Sequence, residues 1–197
     1  MGRACWGFDV DSVVGNLSGV LVKVAQEEYG IQVSPERFTR FRLEECLPFE
    51  PDFILEWIAR ALEPRWTALM EPYPGAVEVL TELSALQPLR FVTARPEVEP
   101  VRSWLVGRLD RVPVDRIHTE AVGYADLKLQ VLKDWGITHF VEDHVETCHL
   151  LQCSGIVPIV FEQPWNMGLH AFATVRSWSE IGGLVMDNGE VSAQGGH

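Results

Sequence analysis

Basic residues are scarce in this chain, whose 197 residues include 16 lysines and arginines against 28 aspartates and glutamates, giving a formal net charge of −12. Nucleic acids and anionic membranes are bound through clusters of positive charge, so this balance disfavours both as partners. No apolar run approaches the roughly 20 residues that span a bilayer, and no signal-peptide pattern opens the chain. We therefore predict a cytoplasmic protein that binds neither a nucleic-acid polymer nor a membrane. A small anion can still bind at a local site.

Cysteine is also scarce, and the four residues form neither a CxxC pair nor a disulfide framework: Cys5, Cys46, Cys148 and Cys153. Free thiols fit a reducing compartment. The stretch EDHVETCH does offer His144, Cys148 and His149 as zinc ligands. Zinc sites usually have a second ligand cluster elsewhere, however, and adjacent Cys148 and His149 would point apart on a helix. The sequence therefore disfavours a zinc site.

Strand and helix signals alternate along the second half of the chain. The apolar stretches LRFVTA, DRIHTE, THFVED and IVPIVF predict strands, and helical stretches lie between them. A further short apolar run, ACWGFD, predicts a buried first strand near the N-terminus. This alternation is typical of an α/β fold in which a doubly wound parallel sheet carries helices on both faces.

About 60 residues between the first and second predicted strands show mainly helical signals. The stretch NLSGVLVKVAQEEYG has apolar residues at helical spacing and ends at Gly30, Pro35 follows a capping serine, and PDFILEWIARALEPRW predicts a helix ending before Pro64. We therefore predict a helical segment inserted into the α/β core. The predicted divisions are residues 1–14 and 72–190 for the core, 15–71 for the insertion and 187–197 for a flexible tail.

Chemically reactive side chains follow the predicted strands. In chain order they are Asp9 with Asp11, Thr93, Lys128, and Glu142 with Asp143. Residues two apart in a strand share a face, so Asp9 and Asp11 would repel each other unless a positive charge such as a metal ion lay between them. The carboxyl ends of parallel strands form the binding edge of such sheets. Carboxylates, a hydroxyl and an ammonium at that edge suit phosphoryl transfer through an aspartyl-phosphate, with a hard divalent cation.

The order of these motifs resembles the haloacid dehalogenase (HAD) superfamily of phosphatases. The matching stretches are DVDSV, FVTAR and KLQVLKDWGITHFVED. Within that superfamily, PYPGAVEVL, VTARPE, GITHFVED and the late PWN and RSWSEI are similar to the 5′-nucleotidase type C group, which includes the deoxyribonucleotidases. The resemblance covers residues 4–184, except that 31–70 match no familiar pattern. It implies a HAD-like Rossmannoid core in which the helical insertion is a C1-type cap that closes over the site.

The resemblance also implies roles for the acidic residues. Asp9 would be the nucleophile, and Asp11 would protonate the leaving group and then activate water. Mg²⁺ would be held by the carboxylates of Asp9 and Asp143 and by the backbone carbonyl of Asp11. Glu142 stands where many relatives have aspartate, and its longer side chain favours a position beside the metal ligands. The substrate would be a small phosphorylated metabolite, such as a nucleoside or deoxynucleoside 5′-monophosphate.

Phosphate binding is assigned by the same resemblance to Thr93, Ala94 and Lys128, and Lys128 would also keep Asp9 ionised. Arg95 has two alternatives, since it can steer the substrate phosphate or pair with a carboxylate of the cap. We interpret His118, near a predicted strand end, as structural. Four aromatic residues of the insertion could stack on a base, although their spacing favours packing in the core: Phe49, Phe53, Trp57 and Trp66.

Three other functions deserve comparison. A signalling receiver domain uses similar groups, but its acidic pair comes first and its lysine last, whereas here Lys128 precedes the final acidic pair. A phosphotransferase or mutase would keep the same aspartate pair and stays open, as does a regulator that binds a phosphorylated ligand without turnover. Asp11 favours hydrolysis, because an acid two residues after the nucleophile serves proton transfer.

Overall fold

A six-stranded parallel sheet organises residues 4–190, the part of the chain that the computed structural model describes. Its strand order is β3-β2-β1-β4-β5-β6, and every neighbouring pair is parallel. The predicted tail lies outside the described residues from position 191 onward. The strands are Trp6–Phe8 (β1), Leu89–Thr93 (β2), Ile117–Ala121 (β3), His139–Glu142 (β4), Val157–Phe161 (β5) and Ala173–Val175 (β6).

Helices cover both faces of this sheet. Consecutive strand residues belong to different apolar clusters: Phe91 and Val141 lie in the larger cluster, whereas Val92 and Phe140 lie in the smaller one. The predicted doubly wound α/β fold is therefore confirmed. The helices are Leu17–Tyr29 (α1), Pro51–Ala61 (α2), Pro64–Thr67 (α3), Ala76–Leu86 (α4), Glu99–Arg108 (α5), Lys128–Asp134 (α6), Val145–Cys153 (α7) and Trp178–Glu190 (α8). Within residues 4–190, no helix has the length and apolar character needed to cross a membrane.

Helices α1, α2 and α3 lie in the segment inserted between β1 and β2, and all three pack on one another. The side chain of Asn16 accepts a hydrogen bond from the backbone N–H of Gly19 at the start of α1, and Gly30 ends the helix with φ of +67°. The indole of Trp57 in α2 donates to the carbonyl of Leu21 in α1 at 2.9 Å. This bond ties the two helices together inside the insertion.

Residues 31–50 contain less helix than their sequence suggests. The helix predicted at Pro35 is one 3₁₀ turn, Pro35–Arg37, and Leu43–Glu45 forms another. The Ser34 side chain makes no capping hydrogen bond. Pro48 removes a backbone donor shortly after the second turn, so that turn is not extended to the length at which helices become stable. The result is an irregular loop at the edge of the insertion.

Candidate active site

The carboxyl ends of β1, β2 and β4 open into one cavity of about 300 Å³. The order in which strands are added reverses at β1: β2 and β3 lie on one side of it, and β4, β5 and β6 lie on the other. Such a reversal leaves a crevice between the strand ends, where ligands of doubly wound proteins bind. The cavity gathers every side chain that the sequence placed in the site: Asp9, Asp11, Thr93, Ala94, Arg95, Lys128, Glu142 and Asp143.

Three buried carboxylates meet at this edge of the sheet. One oxygen from each of Asp9, Glu142 and Asp143 lies within 4.8 Å of the others. Burial raises the pKa of Asp9 and that of Asp143 well above the ordinary range, and the neighbouring carboxylates raise both pKa values further. A cluster of oxygen donors with excess negative charge is the set that a hard divalent cation prefers. These residues therefore fit a metal ion.

Lys128 is the cation that this cluster contains. Its side chain is 2% exposed, and its Nζ lies 2.8 Å from Oε2 of Glu142 and 3.0 Å from Oδ1 of Asp9. Burial alone would lower the pKa of Lys128, but the two carboxylates outweigh burial and raise it. The ammonium is therefore protonated at neutral pH. It is placed there because α6 begins at Lys128, beside the end of β4.

Glu142 has both oxygens engaged by protein donors. Oε2 accepts from Lys128, and Oε1 accepts from the backbone N–H groups of Asp143 and His144 at 3.1 and 3.2 Å. Burial alone would raise the pKa of Glu142, but the Lys128 ammonium and the contacts with His144 together outweigh burial and lower the pKa. Glu142 is thus an ionised partner that orients Lys128.

Two residues outside the predicted set of site residues hold Asp143 in place. The indole of Trp165 donates to Oδ2 of Asp143 at 3.0 Å, and the side-chain amide of Asn166 donates to its backbone carbonyl at 2.8 Å. Asn166 also donates to the carbonyl of Phe161, the last residue of β5. The late PWN stretch was the available signal, because it belongs to the pattern shared with the nucleotidases.

Asp11 forms a two-pronged ion pair with Arg95. Nε of Arg95 donates to Oδ2 of Asp11 at 2.8 Å, and Nη2 donates to Oδ1 at 2.7 Å. The Thr93 hydroxyl donates to Asp11 Oδ2 at 3.3 Å and accepts the backbone N–H of Arg95 at 3.2 Å. The carboxylate that pairs with Arg95 therefore belongs to the core. The insertion contributes Thr67, whose hydroxyl accepts a hydrogen bond from Nη1 of Arg95.

Ser12 has a backbone conformation that usually belongs to glycine. Its φ is +62°, and within residues 4–190 it is the one residue other than glycine with positive φ. Its N–H bonds to the carbonyl of Gly15, and its own carbonyl accepts the side-chain amide of Gln163 at 2.7 Å. These bonds offset a left-handed conformation that costs about 1–2 kcal/mol. The turn directs the chain away from β1 immediately after Asp11.

The side of the cavity that faces the insertion is mostly apolar. Phe41, in the loop before α2, stacks on His144 with ring centroids 3.9 Å apart. Three of the aromatic residues that the sequence singled out, Phe49, Phe53 and Trp57, pack on one another instead, and Trp66 is buried in the same apolar cluster. Their predicted role in core packing is confirmed. The apolar wall consists of Leu17, Leu21, Phe38, Phe41, Leu43, Ile58 and Leu62.

Within residues 4–190 the three carboxylates are the one cluster of possible metal ligands, and no histidine or cysteine belongs to it. The ring of His144 contacts Thr147 and Glu146, and Cys148 is buried. His118 lies in β3, outside the cavity, and packs edge-on against Trp135. The zinc alternative is thus unsupported.

Solved structures with the same fold include several hydrolases. The HAD-like hydrolase SP0104 from Streptococcus pneumoniae is 15% identical with a TM-score of 0.64, over 91% of this chain and 96% of that one. A HAD family hydrolase from Deinococcus radiodurans R1, with bound phosphate and sodium, is 18% identical with a TM-score of 0.64, over 95% and 96%. CbbY from Rhodobacter sphaeroides, in complex with phosphate, is 15% identical with a TM-score of 0.61, over 92% and 97%. Such low identities show the shared fold alone.

The family is shown by a comparison of a different kind. No curated protein sequence matches the chain. A family model described as 5′ nucleotidase, deoxy (pyrimidine), cytosolic type C protein matches residues 3–191, which is almost the entire chain. The resemblance that DVDSV, FVTAR and GITHFVED predicted is thereby confirmed. The chain is an enzyme with the phosphatase fold of the HAD superfamily, and it belongs to the 5′-nucleotidase type C family.

Proposed function

We propose that this enzyme hydrolyses the phosphomonoester of a small metabolite, a nucleoside or deoxynucleoside 5′-monophosphate, through a phosphorylated Asp9. The observation that carries the proposal is the meeting of Asp9, Asp11 and Lys128 with a buried carboxylate cluster in one cavity. The family description, which names 5′-nucleotidases and deoxy compounds, supports the substrate class.

In the first step, a carboxylate oxygen of Asp9 attacks phosphorus. The new oxygen–phosphorus bond forms as the bond to the leaving oxygen breaks. Asp11, which pairs with Arg95 as a carboxylate in this structure, would take up a proton before this step and give it to the leaving oxygen. Lys128, 3.0 Å from Asp9 Oδ1, opposes the effect of burial on the Asp9 carboxyl and favours its ionised form. Thr93 and Ala94 line the cavity, where the hydroxyl of Thr93 and the backbone N–H of Ala94 would bind the phosphoryl oxygens as charge develops.

In the second step, water attacks the phosphorylated aspartate. Asp11, now a carboxylate, takes a proton from the water as its oxygen bonds to phosphorus. The bond between phosphorus and Asp9 breaks, so Asp9 returns to its starting state and inorganic phosphate leaves. One residue serves as acid and then as base, and the two half-reactions therefore leave Asp11 protonated again.

The carboxylates of Asp9 and Asp143, with the backbone carbonyl of Asp11, would hold Mg²⁺. When bound, the ion neutralises the excess negative charge of the cluster and of the phosphoryl group. Trp165 and Asn166 would fix the orientation of Asp143 for this task, since both donate hydrogen bonds to it.

We also propose that residues 15–71 act as the C1-type cap of a core formed by 1–14 and 72–190. Its apolar wall would exclude water from the phosphoryl group and contact the leaving group. The same proposal places the enzyme in the cytoplasm, where four free cysteines stay reduced. The proposed substrate is a small phosphorylated metabolite and not a nucleic-acid polymer.

Phosphate release across a substrate panel tests this function. The panel contains nucleoside and deoxynucleoside 5′-monophosphates, sugar phosphates and p-nitrophenyl phosphate, each assayed with Mg²⁺. We expect release from the nucleotides at higher kcat/KM than from the sugar phosphates. Faster release from sugar phosphates would remove the nucleotide assignment, transfer to an added alcohol would indicate a phosphotransferase or mutase, and no release from any member would favour a regulator.

Removal of divalent cations is expected to stop turnover and lower the melting temperature. At a Mg²⁺ concentration 100 times its Kd, the bound ion would add about 2.7 kcal/mol to the free energy of unfolding. Thermal unfolding and phosphate release are measured after chelation and again after Mg²⁺ is restored. Asp143→Asn should abolish the Mg²⁺-dependent rise, whereas exposed Asp110→Asn should retain it. Turnover that is insensitive to chelation would contradict the metal assignment.

A further inference from the structure

The guanidinium of Arg95 links the insertion to Asp11. Its side chain is 3% exposed, and Nε and Nη2 contact the two oxygens of Asp11 while Nη1 donates to the Thr67 hydroxyl at 2.6 Å. The Thr67 hydroxyl in turn donates to the carbonyl of Leu62 at 3.1 Å. A continuous chain of hydrogen bonds therefore runs from the end of α2, through α3, to the carboxylate of Asp11.

This two-pronged contact fixes both the position and the rotation of the Asp11 carboxylate. The planar guanidinium donates two parallel hydrogen bonds to the two oxygens of a carboxylate. Two bonds prevent the rotation of the carboxylate that a single hydrogen bond would allow. Arg95 lies two residues beyond the end of β2, where its backbone N–H donates to the Thr93 hydroxyl and its carbonyl accepts the N–H of Gly123 at 3.0 Å, so its backbone is held beside the sheet. The Asp11 side chain remains 17% exposed, and the residue lines the cavity.

We propose that Arg95 is a positioning residue that directs the carboxyl group of Asp11 at the leaving oxygen, and that Thr67 makes this direction depend on the placement of α3. The inference rests on the proposed hydrolase mechanism, in which Asp11 exchanges the proton. The bond changes are those of the two steps above. In this proposal Arg95 hydrogen-bonds to Asp11 and not to the phosphoryl group or the leaving oxygen, so its role is to fix where the proton donor lies.

Displacement of the general acid slows the reaction most when the leaving group must be protonated in order to depart. The 5′-oxygen of a nucleotide leaves as a strongly basic alkoxide unless it is protonated, whereas p-nitrophenolate leaves readily without a proton. Loss of the Arg95 contact should therefore slow release of the nucleoside and spare release of the phenolate. Damage to the fold or to phosphate binding would slow both esters alike.

The experiment compares first-turnover release of the leaving group from these two esters, before the hydrolysis step that they share. For Arg95→Lys we expect a loss of about 100-fold on the nucleotide and less than about 5-fold on p-nitrophenyl phosphate, with KM changed less than about 3-fold. Thr67→Val, which removes the hydroxyl that joins Arg95 to the carbonyl of Leu62 and leaves the Arg95–Asp11 pair in place, should show the same selectivity with a loss of about 5-fold. Arg102→Lys, on the exposed side of α5, is the matched control and should equal the wild type.

A double-mutant cycle completes the test. In an Asp11→Asn background, Arg95→Lys should lower the nucleotide rate by less than about 2-fold, because the group that it positions no longer donates a proton. Equal losses on both esters, or full additivity in the cycle, would overturn the positioning role. If Arg95→Lys fails to fold, as judged by circular dichroism, Thr67→Val carries the same comparison. Wild-type enzyme that releases neither leaving group would instead refute the proposed function.

Discussion

Asp9→Asn is expected to lower phosphate release by at least about 1,000-fold while leaving the fold intact. The amide has almost the shape of the carboxylate but is a far poorer nucleophile toward phosphorus. The substitution also removes one of three crowded carboxylates, and Lys128 keeps Glu142 as its partner at 2.8 Å. We therefore expect the melting temperature of the metal-free protein to stay the same or rise.

Phosphate release, thermal unfolding and the mass of the intact protein measure these effects. The wild type, quenched in acid during turnover, should gain the mass of one phosphoryl group, and Asp9→Asn should not. Asp110→Asn changes an exposed aspartate that does not line the cavity, and it serves as the matched control. An Asp9→Asn enzyme that turns over at a comparable rate would remove Asp9 as the nucleophile.

Lys128→Met is expected to have the largest effect on stability. It removes the ammonium between Asp9 and Glu142 and leaves both carboxylates buried without their cation. Breaking a buried ion pair from one side costs about 3–5 kcal/mol in the free energy of unfolding. Turnover should also fall severely, because the same ammonium favours the ionised form of Asp9 and would bind phosphate.

The pH dependence identifies the cause of that loss. Without Lys128, burial would raise the pKa of Glu142 above its unfolded value and would raise the already elevated pKa of Asp9 further. Ionising them at higher pH then costs stability, and the cost disappears as pH falls toward their unfolded pKa values. Urea unfolding should therefore show a smaller deficit at pH 5 than at pH 8. Lys133→Met, an exposed residue of the same helix, should show no deficit at either pH, and a pH-independent loss in Lys128→Met would point to packing instead.

The alternating part of the fold could be predicted because each element carries its own local signal. Phe91 and Val92, or Phe140 and Val141, lie on opposite faces of a sheet buried on both sides, and such strands form continuous apolar runs. Residues 31–50 could not be predicted as well, because Pro35 and the nearby polar residues are equally compatible with a helix start and with an isolated turn. Strand β6 was missed because three residues at the sheet edge form too short a pattern to recognise.

The site shows the same division between local and tertiary information. Strand order places Asp9, Lys128 and Asp143 together, so their grouping follows from topology. The pairing of Arg95 with Asp11 does not follow from topology, because it requires the Arg95 side chain to fold back over the end of β2. In the same way, Phe41 rather than Trp57 lines the cavity, because a buried helix face and a loop edge cannot be distinguished by residue type.

The central position of β1 has a consequence for how the chain folds. This strand is three residues long, and Phe8 pairs with Phe91 on one side and Val141 on the other. Neither partner is local, so contacts of high sequence separation must form before Asp9 has its place, a feature that slows folding. At about 5–20 residues per second, the ribosome needs on the order of ten seconds to deliver β4 after β1. Nascent chains therefore carry a Trp6–Phe8 segment that lacks its β4 neighbour throughout that interval, and Asp9 is made long before Asp143, with which it forms the carboxylate cluster.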